Sequence, residues 1–143
     1  MPPRSLADDL RGRSDDALAL LLASRPDLLH PVPPDMTALA ARAGSATSTA
    51  RALDRLDALS LAVARAVVDA GEPCTGHDAL AAFPQDSRDE AEEALSRLRV
   101  LALVWGDDDA LRLVRTARES IASTHPSDIV WPPPVVDVTM REP

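Results

Sequence analysis

Lysine and tyrosine are missing from this sequence, cysteine occurs once, and phenylalanine and tryptophan together contribute only three residues. The single cysteine, Cys74, excludes an intramolecular disulfide and favours a reducing compartment. His30, His77 and His125 are spread along the chain, so with one cysteine they do not make a zinc-binding pattern. Because Trp105 has no other aromatic residue nearby, a platform for stacking nucleic-acid bases is not expected.

Long apolar runs and glycine-rich loops are missing as well. No run approaches the length of a membrane span, and residues 1–9 lack the apolar core of a signal peptide, so we expect a cytoplasmic protein without a membrane contact. The five glycines form no phosphate-binding loop of either common type. Cys74 and His77 resemble a nucleophile and a base, but no third residue to orient them is identifiable. We therefore expect neither an enzyme nor a cofactor.

The balance of charge is acidic. Fifteen arginines face 23 aspartate and glutamate residues, which gives a formal net charge of -8. An acidic chain repels phosphates, so nonspecific binding along a nucleic-acid backbone is disfavoured and any contact with DNA has to be local. The use of arginine alone, in a chain rich in alanine, leucine, proline and aspartate, is typical of a GC-rich coding bias.

Two helices are predicted in residues 1–34. Ser5 and Ser14 each precede a run of acidic and apolar residues, and both are suitable N-caps. The second helix should end near Ser24, because Pro26 disfavours helical geometry in the residue before it. The rest of this unit, residues 26–34, is a proline-rich connector.

Residues 35–56 resemble a helix-turn-helix hairpin. A helical segment ends at Gly44, which tolerates a left-handed turn, and a second segment follows in which Ala50 and Leu53 should face the first helix. That arrangement would leave a polar face on the second helix, suited to phosphate and base-edge contacts and locally net positive. The candidate DNA-binding residues on this face are Thr47, Ser48, Arg51 and Arg55. Alternatively, the hairpin is only a packing unit, as many alanine-rich hairpins are.

A third unit is predicted over residues 57–124, where helix patterns are followed by two strand patterns. We expect Gly71 to end the first helix and either Asp86 or Ser87 to cap the third. The predicted segments are a helix over 57–71, a helix over 76–83, a helix over 87–99, strands over 101–105 and 110–114, and a helix over 116–123. This order predicts a winged-helix unit in a mostly α protein, with a two-stranded β-hairpin as its wing.

The third helix of this unit is acidic on the side that faces away from the core. Its apolar residues recur at helical spacing, and residues 76–100 contain six acidic residues and three arginines. Three aspartates also occupy the turn between the strands, where a solvated turn is favoured over a calcium site because the full calcium-loop pattern is missing. Either these carboxylates are simply solvated, or they bind a protein partner with a basic surface. The candidate partner-binding residues are Asp89, Glu92, Glu93, Asp107, Asp108 and Asp109.

The last segment, residues 125–143, contains three consecutive prolines and is predicted to be extended. It is either a linker to further sequence or a strap across the domain. Docking through Val130, Trp131 and Val135 is the favoured interpretation.

Several motifs of this chain resemble a bacterial family of helicase-associated, XPB-like helicase domain proteins, in their N-terminal region. The motifs are Arg25-Pro26-Asp27-Leu28 with Pro33-Pro34, Leu39-Ala40-Ala41-Arg42, Ala52-Leu53-Asp54-Arg55-Leu56-Asp57, Ala102-Leu103-Val104-Trp105-Gly106 and Leu111-Arg112-Leu113-Val114. The resemblance runs to about residue 136 and implies a separated N-terminal module, acting beside a region related to a DNA-repair helicase. No helicase motor motif is present, so ATP hydrolysis is not implied.

Two functions from different classes remain open. The first is a module for protein–protein interaction that uses the acidic helix and the aspartate turn. The second is direct DNA binding through the polar face of residues 46–56. A purely architectural role in a longer protein is a further possibility.

Overall fold

The protein is mostly helical in the computed structural model, which describes residues 3–123; the predicted tail 125–143, with its docking residues Val130, Trp131 and Val135, lies outside that range. The elements are α1 (Leu6–Arg11), α2 (Asp15–Ser24), a 3-10 turn (Pro26–Leu29), α3 (Met36–Ala43), α4 (Ala46–Asp54), α5 (Ala58–Ala70), α6 (Gly76–Leu80), a 3-10 turn (Gln85–Ser87), α7 (Arg88–Val100), β1 (Val104–Trp105), β2 (Arg112–Leu113) and α8 (Arg115–Ser123).

Side-chain caps start most of these helices. Ser5 and Ser14 accept hydrogen bonds from the third backbone N–H that follows them, at 3.1 Å in both cases, so the two predicted N-caps are confirmed. Gly71, with a φ of +91°, ends α5 as predicted. Ser87, one of the two predicted caps, occupies the N-cap position of α7, but its side chain makes no capping hydrogen bond. The 3-10 turn before α7 runs directly into the helix instead.

The apolar side chains form two hydrophobic clusters. The first joins α1, α2 and α3, and it also takes in Ala102 from the segment after α7. The second joins α5, α6, α7, the two strands and α8, and Ala52 and Leu53 of α4 are part of it. The two helices of the predicted hairpin over 35–56 therefore bury their apolar sides in different clusters. The predicted unit boundaries themselves stay predictions.

The orientation expected for the second helix of this hairpin is wrong. At the turn itself, Gly44 has a φ of −91°, so the left-handed conformation that glycine tolerates is not used. Ala50 is exposed, and the buried side of α4 consists of Ser48, Thr49, Ala52 and Leu53. Thr49 lies against α8, where it accepts a hydrogen bond from Thr116 at 2.8 Å. The packing of α4 against α8 has turned the helix relative to the orientation that the hairpin pattern predicts.

The two strands pair antiparallel but are much shorter than predicted. Val104 lies opposite Leu113, and Trp105 lies opposite Arg112. Residues 101–103 belong instead to the end of α7: the N–H of Leu103 donates to the carbonyl of Leu98, and Ala102 has a φ of +58°. This is a Schellman-type helix end in which alanine occupies the position that glycine usually takes. Likewise, α6 ends at Leu80 and not at residue 83, although Phe83 is buried as expected.

A third chain segment adds to the strands. Cys74, between α5 and α6, forms an antiparallel bridge with Leu111, and the two residues exchange backbone hydrogen bonds of 3.1 Å and 2.7 Å. The order along the chain is therefore a helix, a bridge residue, two helices and a hairpin. This order brings the turn between β1 and β2 next to the start of α6.

The buried guanidinium of Arg25 joins the two clusters. Its side chain is 1% exposed and donates hydrogen bonds of 2.8 Å to the carbonyls of Ala43 and Leu101 and to the hydroxyl of Ser48. The Ser48 hydroxyl in turn lies 2.6 Å from a carboxylate oxygen of Asp27. Burial lowers the pKa of Arg25, and the nearby charge of Asp27 opposes that shift. One side chain thus connects the end of α3, the start of α4 and the end of α7.

We expect Arg25→Met to lower the free energy of unfolding by roughly 3 kcal/mol, because it leaves two buried carbonyls and the Ser48–Asp27 pair without their cationic donor. Urea unfolding followed by circular dichroism measures the change. The matched control is Arg115→Met, which removes an arginine side chain that is 82% exposed and should change the free energy by no more than about 0.5 kcal/mol. Equal urea midpoints for the two variants would contradict the structural role of Arg25.

Candidate interaction surfaces

The exposed side of α7 is acidic. Ala91, Ala94, Leu95 and Leu98 are buried, as predicted, and the side chains of Asp89, Glu92 and Glu93 are exposed. Residues 86–93 contain five carboxylates and one arginine. That arginine, Arg88, donates to the carbonyl of Phe83 at 3.0 Å and does not pair with any of these carboxylates.

These carboxylates differ from many others in the described residues by having no partner. Asp9 pairs with Arg13 at 3.1 Å, and the largely buried Glu72 pairs with both Arg112 and Arg118. In contrast, no ion pair or side-chain hydrogen bond within residues 3–123 reaches Asp89, Glu90, Glu92 or Glu93. The acidity of this helix face is therefore left uncompensated inside the fold.

Only some of these carboxylates stabilise α7 through their position in the helix. Asp89 and Glu90 lie in the first turn, where the helix dipole stabilises negative charge. Glu92 and Glu93 lie beyond that turn. Each has a like charge three or four residues before it, but each also has an arginine four residues away, Arg88 before Glu92 and Arg97 after Glu93, so the effects of neighbouring charges on the helix roughly cancel. A contribution to helix stability thus does not account for Glu92 and Glu93.

The aspartate turn between β1 and β2 is held in place by side chains from other elements. Asp108 pairs with Arg99 of α7, and Arg99 also donates to the carbonyl of Gly106 at 2.9 Å. The N–H of Gly106 donates to a carboxylate oxygen of Asp9 at 3.0 Å. Gly106 has a φ of +99°, and a Cβ there would lie 2.5 Å from the carbonyl oxygen of Ala110, so only glycine fits.

The three predicted partner-binding aspartates of this turn are therefore not equivalent. Asp107, Asp108 and Asp109 are all exposed, but Asp108 already has a cationic partner. The carboxylates of Asp107 and Asp109 have none among the described residues. The turn and the face of α7 are linked through Arg99 but do not form one continuous acidic cluster.

The four predicted DNA-binding residues of α4 are likewise divided. Thr47, Arg51 and Arg55 are exposed, and neither arginine has a hydrogen bond or ion pair within the described residues. Ser48 was predicted to point outward, and that prediction is wrong: it is 4% exposed and bonded to Arg25 and Asp27. Its hydroxyl is occupied within the fold.

A polar contact also links α7 to the start of α5. Asp57 caps α5 by accepting from the N–H of Ser60 at 2.8 Å, and its other carboxylate oxygen lies 3.6 Å from Arg97. Arg97 also donates to the hydroxyl of the buried Ser60 at 3.3 Å. Hydrogen bonds from Ser60, assisted by the charge of Arg97, lower the pKa of Asp57.

The thiol of Cys74 is withdrawn from solvent. Cys74 is buried, and burial, assisted by the charge of Asp78, raises the pKa of its thiol. Within residues 3–123, no group of three or more histidine, cysteine, aspartate or glutamate side chains could hold a metal ion. None of the helices in this range combines the length and the apolar character that crossing a bilayer requires.

The sequence pattern did not identify three arginines that shape these surfaces. Arg25 fixes the end of α3 against α4, Arg99 holds the aspartate turn, and Arg97 pairs with Asp57 at the start of α5. Each of these contacts joins residues at least seven positions apart, so helical periodicity gives no signal for it. The one available hint for Arg25 was its position directly before Pro26, where the chain leaves the helix.

No protein-family model matches this chain, and the searches of curated proteins and of solved structures give no match either. What the chain does therefore has to follow from its own residues.

We expect Asp57→Ala to lower the free energy of unfolding by about 1 kcal/mol at neutral pH, because it removes the cap of α5. Asp57→Asn keeps a capping oxygen and should cost less. Since the pKa of Asp57 is lowered in the folded state, the charge-dependent contribution is fully present above the unfolded-state value of about 3.9 and is lost as the pH falls through the folded-state pKa. Urea unfolding over a pH series measures both effects. A constant difference between wild type and Asp57→Asn down to strong acid would contradict this assignment.

Proposed function

We propose that this chain is a non-enzymatic cytoplasmic module for protein–protein interaction, and that the exposed face of α7 binds a basic surface of its partner. The observation that carries the proposal is the set of carboxylates on α7 that have no cationic partner within the described residues. A basic partner would neutralise these charges and relieve their mutual repulsion. The candidate contact residues are Asp89, Glu92 and Glu93, with Asp107 and Asp109 of the adjacent turn; Asp108 would contribute only by exchanging Arg99 for the partner.

We further propose that residues 58–123 form a winged-helix unit. The order α5, the Cys74 bridge, α6, α7, β1 and β2 supports this assignment. In a winged helix that reads DNA, α7 would be the helix that enters the major groove. Its exposed carboxylates would then meet phosphates of the same sign, which favours a protein partner over a DNA groove at this surface.

The helicase-associated context is also a proposal, and it rests on the motif resemblance. Two of the motif residues, Arg25 and Asp27, surround Ser48, and Leu28 is fully buried. The motif thus serves the scaffold and carries no chemistry of its own. A scaffold motif is compatible with an interaction module that acts beside a DNA-repair helicase.

We expect the double variant Glu92→Gln/Glu93→Gln to weaken binding of a labelled arginine-rich peptide roughly fivefold or more, because each exposed charge pair contributes up to about 1 kcal/mol. Fluorescence anisotropy at low and moderate salt measures the affinity. The free energy of unfolding should change by less than about 0.5 kcal/mol, since glutamine is a good helix former and the lost repulsions are similar in size to the lost i,i+4 attractions to Arg88 and Arg97.

The matched control is Asp15→Asn/Asp16→Asn on α2, which also removes two exposed carboxylates without partners in the described residues. If both double variants weaken the peptide equally, the peptide responds only to net charge and the α7 surface is not a specific site. A loss of stability above about 1 kcal/mol in the α7 variant would instead assign these residues to the fold.

Direct DNA binding through α4 is a second candidate, favoured by one observation. Arg51 and Arg55 lie one helical turn apart, are exposed, and have no partner within the described residues. Thr47 is exposed on the same helix. The burial of Ser48 reduces the candidate DNA-binding residues to these three.

The DNA-binding candidate predicts that Arg51→Glu and Arg55→Glu each weaken binding to duplex and single-stranded DNA, because each variant places a carboxylate where a phosphate would lie. Electrophoretic mobility shifts at low salt measure the effect. Arg115→Glu makes the same charge change on α8 and serves as control. Weak binding that is unchanged in the two α4 variants would eliminate direct DNA contact by α4.

A further inference from the structure

A cavity of about 290 Å³ lies where α4, the start of α5 and the end of α7 meet. Arg55 of α4 and Arg97 of α7 both line it, together with Asp57, Ser24 and Ser60. Two arginines from different helices therefore line the same small cavity, which is open to solvent: Arg55 is exposed, and the side chains of Arg97 and Asp57 are 48% and 64% exposed. A cavity of this size has room for several water molecules, each of which takes roughly 30 Å³ of liquid volume, and thus for a small anion.

Some polar groups of this cavity are hydrogen-bonded within the fold, and others are not. Ser60 is 1% exposed, and its hydroxyl accepts from Arg97 at 3.3 Å. One oxygen of Asp57 is occupied by the N–H of Ser60. Arg55 and the hydroxyl of Ser24 have no partner within the described residues. The lining thus offers a free guanidinium, a free hydroxyl and a second guanidinium that is held in place by a buried serine.

The charges of the lining do not cancel. Arg55 and Arg97 are positive, and Asp57 is negative and remains ionised at neutral pH because its pKa is lowered. Two positive charges and one negative charge give a net charge of +1, in a chain whose total is -8. A planar guanidinium fork matches the oxygens of a phosphate group in geometry as well as in charge. A singly charged phosphate ester would balance this lining.

We propose that the Arg55–Arg97 cavity is a binding site for a phosphate group. Arg55 donates to the phosphate oxygens, Arg97 supplies the second cation while Ser60 orients it, and Ser24 provides a neutral donor. The site goes beyond the protein-interaction function, because it lies on other residues and needs no protein partner. The phosphate can belong to a nucleic-acid strand or be free in solution.

The test uses inorganic phosphate as the first probe, with the Nε–H signals of the arginines followed by NMR. We expect saturable shifts for Arg55 and Arg97 and none for Arg115. Binding should weaken roughly threefold to tenfold in Arg55→Gln and in Arg97→Gln, as expected for the loss of one charged hydrogen-bond donor. Arg115→Gln, which makes the same change in net charge at a residue that does not line the cavity, should leave binding unchanged.

Asp57→Asn should strengthen phosphate binding, whereas the two arginine variants should weaken it. A gain in affinity cannot be explained by a weakened fold. The Asp57→Asn variant keeps a capping oxygen for α5 but raises the charge of the lining from +1 to +2, so phosphate should bind more tightly. Shifts that are not saturable, equal losses in Arg115→Gln, or weaker binding in Asp57→Asn would each overturn the proposal. Binding of the arginine-rich peptide by α7 should be unaffected in Arg55→Gln, which separates the two proposals.

A short oligothymidine is the second probe and identifies the source of the phosphate. If a strand binds, Arg51→Gln should weaken the oligothymidine but not inorganic phosphate, and should reduce the slope of log K against log salt by roughly 0.7. If only inorganic phosphate shifts Arg55 and Arg97, the site takes free phosphate. Both of these outcomes support the site, and failure of both probes overturns it.

Discussion

The arrangement of the molecule depends on one buried cation. Arg25 is withdrawn from solvent, and its guanidinium connects the end of α3, the start of α4 and the end of α7. A buried charge is costly unless its donors are satisfied, so the position of each acceptor is constrained by this side chain. Arg13 adds to the constraint, because it donates to the carbonyls of Arg99 and Val100 at 2.7 Å and 3.4 Å. Arginines from the N-terminal helices thereby supply hydrogen-bond donors to the last carbonyls of α7, which have no partner within the helix.

Arginines are used throughout the described part of the chain to satisfy backbone carbonyls. Arg42 donates to Leu28 and Pro31, Arg88 to Phe83, and Arg99 to Gly106. A guanidinium has five N–H donors, so it can serve a carbonyl and a carboxylate together, as Arg99 does for Gly106 and Asp108. The three arginines of α7 are engaged in this way or with carboxylates of other elements: Arg88 with Phe83, Arg97 with Asp57, and Arg99 with Gly106 and Asp108. The exposed carboxylates of α7 are therefore not neutralised by arginines of the same helix.

Features set by neighbouring residues could be predicted from the sequence, and features set by distant residues could not. The caps at Ser5 and Ser14 depend on an N–H three residues away, and the buried face of α7 depends on helical spacing. The burial of Ser48 depends on Arg25, which is 23 residues away. The sequence predicts a strand at Ala102, because the residue is not the glycine that usually marks a left-handed helix end. Burial in the first cluster stabilises Ala102 in the left-handed conformation. The cavity beside Arg55 could not be predicted from the sequence for the same reason, because Arg97 belongs to a different helix.

The position of each charge along α7 shows which residues stabilise the helix and which are left to bind a partner. Acidic residues in the first turn and arginines in the last turn are what the helix dipole favours, so Asp89, Glu90 and Arg99 have an explanation within the helix itself. Glu92 and Glu93 do not, because the dipole effect has faded at their position, and the repulsion of each from a carboxylate one turn earlier is offset by an arginine four residues away. The protein-interaction proposal therefore depends on these two residues far more than on the acidity of the helix as a whole. A helix that needed only a solvated polar face would be served as well by glutamine at both positions.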